Sequence, residues 1–212
     1  MLTALIDYES GNLHSAQKAF ERMARETGAG DVVVTGDPQV VATADRIVLP
    51  GDGAFPACRR ALFDHSGLFE ALDEAVTRGG KPFFGICIGM QMLATTGREY
   101  EDTPGFDWIS GEVVLIDPAD PGLKVPHMGW NDLVIDHAHP VLDGVATGDH
   151  AYFVHSYHFQ VADPAERLAH VDYSGDVTAV VGRGNIFGTQ FHPEKSQEAG
   201  LRIIANFLRW KP

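Results

Sequence analysis

The chain has 212 residues, 44% hydrophobic and 21% charged, an ordinary globular composition long enough to build a sizeable core in one domain, 1–212. Its 16 Lys and Arg face 29 Asp and Glu, and no basic cluster relieves the formal charge of -13, which excludes nucleic acid and anionic membrane as partners. No apolar run approaches the roughly 20 residues of a transmembrane helix. No basic leader precedes the first apolar run, and Cys58 and Cys87 form no C-x-x-C pair, so a reducing cytoplasm is expected.

Leu2 to Asp7 is an apolar run of strand length, broken by Gly11-Asn12. Leu13, Ala16, Phe20 and Met23 then recur at helical spacing. Asp31 to Thr35 reads as a second strand, and Arg46 to Leu49 as a third that stops at Pro50-Gly51-Asp52-Gly53. Leu68, Leu72, Ala75 and Val76 share one face of a helix closed by Gly79-Gly80. Lys81 to Ile86 is a fourth strand that leads into Cys87 and a short helix ending at about Thr95. Apolar strands alternating with helices predict βαβ units and a parallel sheet covered on both faces. In the second half Gly111 to Ile116, Leu133 to Asp136, Ala151 to Gln160, Leu168 to Tyr173, Thr178 to Gly182 and Ile186 to Phe191 read as short strands. Few helices intervene there, which predicts hairpins. A last helix runs from about Ser196 to Trp210, with Leu201, Ile204, Phe207 and Leu208 as its buried side. The fold class is α/β: an open mixed, mostly parallel sheet flanked by helices, with additional antiparallel strands in the second half.

Gly85-Ile86-Cys87-Ile88-Gly89 is the cysteine form of the G-x-S-x-G elbow, placed between a strand and a helix as that motif requires. The tight turn strains the backbone of the nucleophile, the glycines let neighbouring chain approach, and the helix N-terminus favours thiolate. The Ile88 N–H is then a donor for an oxyanion forming on a carbonyl attacked by Cys87. A buried cysteine ending a core strand is the plainer reading, and only a base decides between the two. Gln190-Phe191-His192-Pro193-Glu194 supplies one. Pro193 biases His192 towards extended backbone, where residues i and i+2 project to one side. Glu194 can then hold one imidazole nitrogen while the other faces the thiol, giving nucleophile, base and orienting acid. A metal site is not expected: His137/His139 reads as loop, His155/His158 as strand, and neither pair has a carboxylate or thiol at ligand spacing.

Gly85-Ile86-Cys87-Ile88-Gly89-Met90-Gln91, followed far downstream by His192-Pro193-Glu194, resembles the triad (class I) glutamine amidotransferase family, and Pro50 to Phe55 resembles its oxyanion loop. Ile6-Asp7-Tyr8, Gly11-Asn12, Lys124 to Asn131, Tyr152 to Tyr157 and His192 to Ser196 resemble the branch formed by glutaminase subunits of imidazole glycerol phosphate synthases. The resemblance implies a Cys87, His192, Glu194 triad that hydrolyses glutamine through a glutamyl thioester, without a cofactor. Gly51, Asp52, Gly53 and Ile88 would serve the oxyanion, and Gln91, Ser156 and Tyr157 the amino-acid end of the substrate. Ammonia would pass to a (β/α)₈-barrel cyclase subunit in a heterodimer that makes imidazole glycerol phosphate and AICAR in histidine biosynthesis. Tyr8, Asn12, Trp130, Tyr152 and Lys195 match the family's subunit interface or ammonia gate; for Trp130 the plain alternative is a core tryptophan. Two positions depart from the pattern. Ile88 replaces leucine, where only the N–H acts, and Asp52 replaces valine, putting a carboxylate beside the oxyanion loop. A glutaminase serving pyridoxal phosphate, anthranilate or guanine nucleotide synthesis, an elbow hydrolase of the dienelactone or peptidase type, and a silent binding subunit are the alternatives.

Overall fold

The computed structural model describes residues 1–9 and 13–212; the expected break at Gly11-Asn12, and Asn12 as an interface residue, lie outside them. The first half alternates as β1 (Leu2–Ile6), α1 (Leu13–Thr27), β2 (Asp31–Thr35), α2 (Pro38–Thr43), β3 (Arg46–Gly51), α3 (Phe55–Asp64) and α4 (Leu68–Asp73). A π-helical turn at Glu74–Arg78 extends α4, Gly80 turns the chain at φ 64°, and β4 (Phe83–Cys87) runs into α5 (Ile88–Gln91). The second half holds β5 (Thr96–Gly97), β6 (Thr103–Pro104), β7 (Gly111–Leu115), β8 (His127–Asp132) and β9 (Val134–Ile135). It continues with β10 (His150–His155), β11 (Tyr157–Val161), β12 (Arg167–Asp172), β13 (Asp176–Arg183), β14 (Ile186–Thr189) and α6 (Gln197–Arg209).

The large sheet has the order β2-β1-β3-β4-β14-β13-β12-β9; its first five strands are parallel and the rest pair antiparallel. Strands β3 and β4 are buried along their whole length, as expected of parallel strands covered on both faces. Neighbours on a strand point to opposite faces, and Phe83 and Phe84 show where each layer lies. Phe84 meets Phe20 of α1 and Phe207 of α6 at centroid distances of 6.0 and 5.2 Å. Phe83 meets Trp108 at 5.1 Å, in a cluster that continues through Phe106 to Phe69 of α4 and Phe63 of α3. Two smaller sheets, β11-β7-β5-β6 and β10-β8, complete the second half.

Three local expectations change. Helices α2 and α3 lie where no helix was expected. Both start at a proline in the first turn, and Asp37 caps α2 by accepting the Gln39 N–H at 2.9 Å. The helix after Cys87 stops at Gln91, well short of Thr95, so one turn is all that follows the nucleophile. The single strand expected over Ala151 to Gln160 is two: β10 pairs with β8, β11 pairs with β7, and Ser156 separates them.

Candidate active site

Cys87 ends β4 and caps α5 with φ 54° and ψ -112°, a positive-φ conformation costly for a non-glycine residue, by about 1–3 kcal/mol. The flanking glycines make it possible. A Cβ on Gly89 would overlap the Leu49 carbonyl of β3, and one on Gly85 would sit 2.8 Å from the Met90 N. Cys87 itself stands level with Gly51 in the β3–β4 register, so the oxyanion-loop candidate and the nucleophile share one edge of the sheet.

Downstream of β14, Pro193 keeps His192 extended at φ -88°, ψ 103°. Its N–H donates to the Tyr152 carbonyl at 3.2 Å, and its carbonyl accepts the Ser196 hydroxyl at 2.7 Å. Ser196 Oγ in turn accepts the Tyr152 N–H at 3.0 Å, so β10 clamps the backbone of the base. His192 Nδ1 lies 2.9 Å from Glu194 Oε1, the i, i+2 pairing expected of extended chain. The Cys87 and His192 side chains lie near enough to influence each other's charge. Burial alone would lower the His192 pKa, but the hydrogen bonds and charges of Cys87 and Glu194 outweigh it and carry it up to about 10. With α5 only one turn long, its dipole has little influence on Cys87, and His192 is the group that bears on the sulfur.

Beside Cys87 opens a cavity of about 250 Å³ lined by Asp52, Gly53, Ile88 and Gln91 on one side and Ser156 and Tyr157 on the other. Glu99, Pro126, Val154 and His155 also line it and were not anticipated from the sequence. Gln91 Nε2 donates to the Tyr157 carbonyl and to Gln190 Oε1, both at 3.0 Å, which leaves Gln91 Oε1 buried without a partner. Gln190, also missed, brings its own Nε2 to 3.7 Å from Cys87 Sγ. The i, i+2 rule that linked His192 to Glu194 would have placed Gln190 on the same side. No local signal marks Glu99, whose carboxylate accepts the Phe55 N–H at 2.7 Å across 44 residues of sequence.

On the other side of the loop Gly51 and Asp52 join His192, Glu194 and Lys195 around a space of about 20 Å³, room for about one water-sized molecule. The Asp52 side chain is exposed, and its carbonyl accepts the Cys58 thiol at 3.3 Å. Tyr8 is buried at 1% exposure, its hydroxyl donating to the Pro50 carbonyl at 2.8 Å. It braces the oxyanion loop from behind and does not share the exposed face of Trp130. Trp130 is 50% exposed, which removes the core-tryptophan alternative, and it meets Tyr152 edge-on at 5.8 Å. Lys195 is exposed. No helix among the described residues is long and apolar enough to cross a membrane.

The sequence pattern defining class-I glutamine amidotransferases matches residues 5–210. The chain is 73% identical to the imidazole glycerol phosphate synthase subunit HisH of Cereibacter sphaeroides and 69% identical to that of Ruegeria pomeroyi, each over 212 residues and 100% of both chains. Its fold matches a solved glutamine amidotransferase with a TM-score of 0.72 at 19% identity, covering 98% of this chain and 99% of the other. It also matches the glutaminase domain of the Trypanosoma brucei CTPS with bound acivicin, with a TM-score of 0.68 at 15% identity, covering 100% and 95%. The chain therefore belongs to the class-I glutamine amidotransferase family, in the branch of the imidazole glycerol phosphate synthase subunits HisH.

Proposed function

We propose that Cys87, His192 and Glu194 hydrolyse glutamine and that the ammonia released serves a cyclase partner in imidazole glycerol phosphate synthesis, within the cytoplasm. The observation that carries this reading is the strained Cys87 near a His192 that Glu194 orients at 2.9 Å, beside a cavity of amino-acid size. His192, oriented by Glu194, is the base that takes the Cys87 proton. Cys87 Sγ attacks the side-chain carboxamide carbon, and the carbonyl electrons move onto oxygen; in this reading the Ile88 N–H and a loop N–H at Asp52 or Gly53, which line the same cavity, serve as donors to it. His192 gives its proton to the departing amine, so ammonia leaves as a glutamyl thioester forms. Neutral His192 then takes a proton from water, whose oxygen attacks the thioester, and the proton returns to the sulfur–imidazole pair as glutamate departs. Among the groups lining the cavity, the Glu99 carboxylate suits an α-ammonium group. The whole chain, 1–212, acts as one domain in this reading, since the cavity walls come from residues 52–157 and the base and its orienting acid from His192 and Glu194.

The deciding experiment is glutamate release from glutamine by the chain assembled with its cyclase partner. Cys87→Ala is expected to abolish it, and a glutamine-like electrophile is expected to label Cys87 and leave Cys58, buried under the loop, unmodified. Normal turnover in Cys87→Ala would falsify the mechanism.

A further inference from the structure

Two buried histidines beside the cavity have no part in the chemistry above. His155 Nδ1 lies 2.8 Å from the Tyr157 carbonyl, and His155 Nε2 lies 3.1 Å from His127 Nδ1. His127 Nε2 lies 3.3 Å from Asn131 Nδ2, which also donates to the Asp172 carbonyl at 3.0 Å. A carbonyl oxygen only accepts, so the proton of His155 sits on Nδ1 and its Nε2 is bare. That bare nitrogen requires the His127 proton on Nδ1, and the remaining His127 nitrogen accepts from Asn131. One acceptor-only group at the end thus sets the direction of every bond in the series. Both rings are neutral, because burial lowers His155 to about 3 and His127 to about 4. Ring contacts hold His127 in plane: Phe153 stacks on it at 4.8 Å and Tyr173 at 4.2 Å.

The series joins two places. At one end the Tyr157 carbonyl also accepts Gln91 Nε2, and Gln91 leads through Gln190 to the Cys87 sulfur. At the other end is β8, where burial alternates: His127 is buried, while Met128 and Trp130 point outward at 62% and 50% exposure. Strand β8 therefore presents its polar series to the cavity wall and its apolar side chains to the outside.

We propose that His127 and His155 are positioning residues which, by hydrogen bonds directed from Asn131, fix the Tyr157 carbonyl in the cavity wall and make glutamine affinity depend on the placement of β8. This rests on the glutaminase reading. The Tyr157 carbonyl is held by two donors, one from the catalytic side and one from β8. Without the second, the Tyr157 carbonyl and the Gln91 amide that donates to it are held from the catalytic side alone, and the substrate meets a wall that must be ordered on binding.

His127 is the residue to change, because it stands behind the wall and does not line the cavity. Glutamate release by the wild-type chain with its cyclase partner sets KM and kcat; absence of turnover there would count against the glutaminase reading itself, apart from this proposal. His127→Leu, which loses donor and acceptor, is expected to raise KM for glutamine at least about threefold while kcat stays within about twofold. His127→Gln, whose amide both donates and accepts, is expected to return KM to within about twofold of wild type. A smaller rise in KM for the leucine variant, a matching fall in kcat, or failure of the glutamine variant to restore KM overturns the proposal. A second measurement does not depend on the leucine variant folding. Two-bond ¹⁵N–¹H correlations of the wild-type imidazoles at neutral pH are expected to show both rings neutral with hydrogen on Nδ1. A proton on Nε2 of either ring breaks the series and overturns it equally.

Discussion

At His192 two influences oppose each other, and the sign of a substitution follows from which is removed. Burial pushes the imidazole towards neutrality, while Cys87 and Glu194 hold its proton up to about 10. Glu194→Gln removes the carboxylate charge and keeps an oxygen to accept from Nδ1. The His192 pKa is then expected to fall, and the alkaline limb of the glutaminase pH profile to move to lower pH. An unmoved limb would show that Glu194 is electrostatically silent. The loss in kcat is expected to be smaller than for His192→Ala, which removes a proton-transfer group worth about 10²–10⁴-fold. Gly89 offers a test of stability at the same scale. Its missing Cβ faces the Leu49 carbonyl, so Gly89→Ala overpacks backbone against backbone, with an expected cost of about 1–3 kcal/mol read from the urea midpoint. At Asp52 the exposed side chain predicts that Asp52→Val changes glutamine turnover in the assembled complex by less than about tenfold, and that the pH profile keeps its shape. A jump in activity without the partner would make the carboxylate regulatory. The two catalytic motifs were legible because each carries a local signal, the elbow at Cys87 and the i, i+2 pair of His192 and Glu194, while the parallel β4–β14 pairing carries them to one end of the sheet. Glu99 was not, because nothing near it in sequence reveals that distant chain folds it onto the cavity, and His155 was passed over although Ser156 and Tyr157 beside it were expected there.

Among the elements, the strands that position the site differ in how openly the sequence declares them. The buried β3 and β4 announce themselves as continuous apolar runs. Helix α2 hides two valines in six residues, and only the Asp37-Pro38 start signals it. Strand β8 was not expected at all, since glycine and tryptophan in His-Met-Gly-Trp-Asn interrupt any clear alternation. The break at Ser156 had no local signal, because β10 and β11 are each good strand and only their different partners separate them. The antiparallel pair of β8 and β10 also carries the exposed aromatic face. Trp130→Ala is expected to weaken association with the cyclase partner by more than about 1 kcal/mol in calorimetry, as for a buried interface anchor. The thermal midpoint of the isolated chain should hardly move, since an exposed side chain contributes within about 0.5 kcal/mol. Unchanged affinity would place the partner on another face.

For the whole molecule, the histidines set an optimum of stability. His127, His139, His155 and His158 are held by burial below the ordinary value of 6.5. Below about pH 6.5 the unfolded chain takes up protons that these folded rings refuse, so stability falls as pH drops towards about 4. His192 runs the other way. Its raised pKa gives stability that is fully present below 6.5 and is lost as pH climbs towards about 10. Urea midpoints measured from pH 4 to 9 should therefore peak near 6.5 and decline on both sides, more steeply on the acid side, where four groups act together. A flat profile between pH 6.5 and 5 would contradict the burial assigned to these rings.

The three tryptophans are unequal in a way that can be seen by light. Trp108 and Trp210 are each 7% exposed, whereas half of Trp130 lies in solvent. Iodide added to the isolated chain should quench one red-shifted component of the emission and spare the rest. The chain thus carries its own optical reporter on β8, able to follow in real time whatever covers that strand, with no label attached.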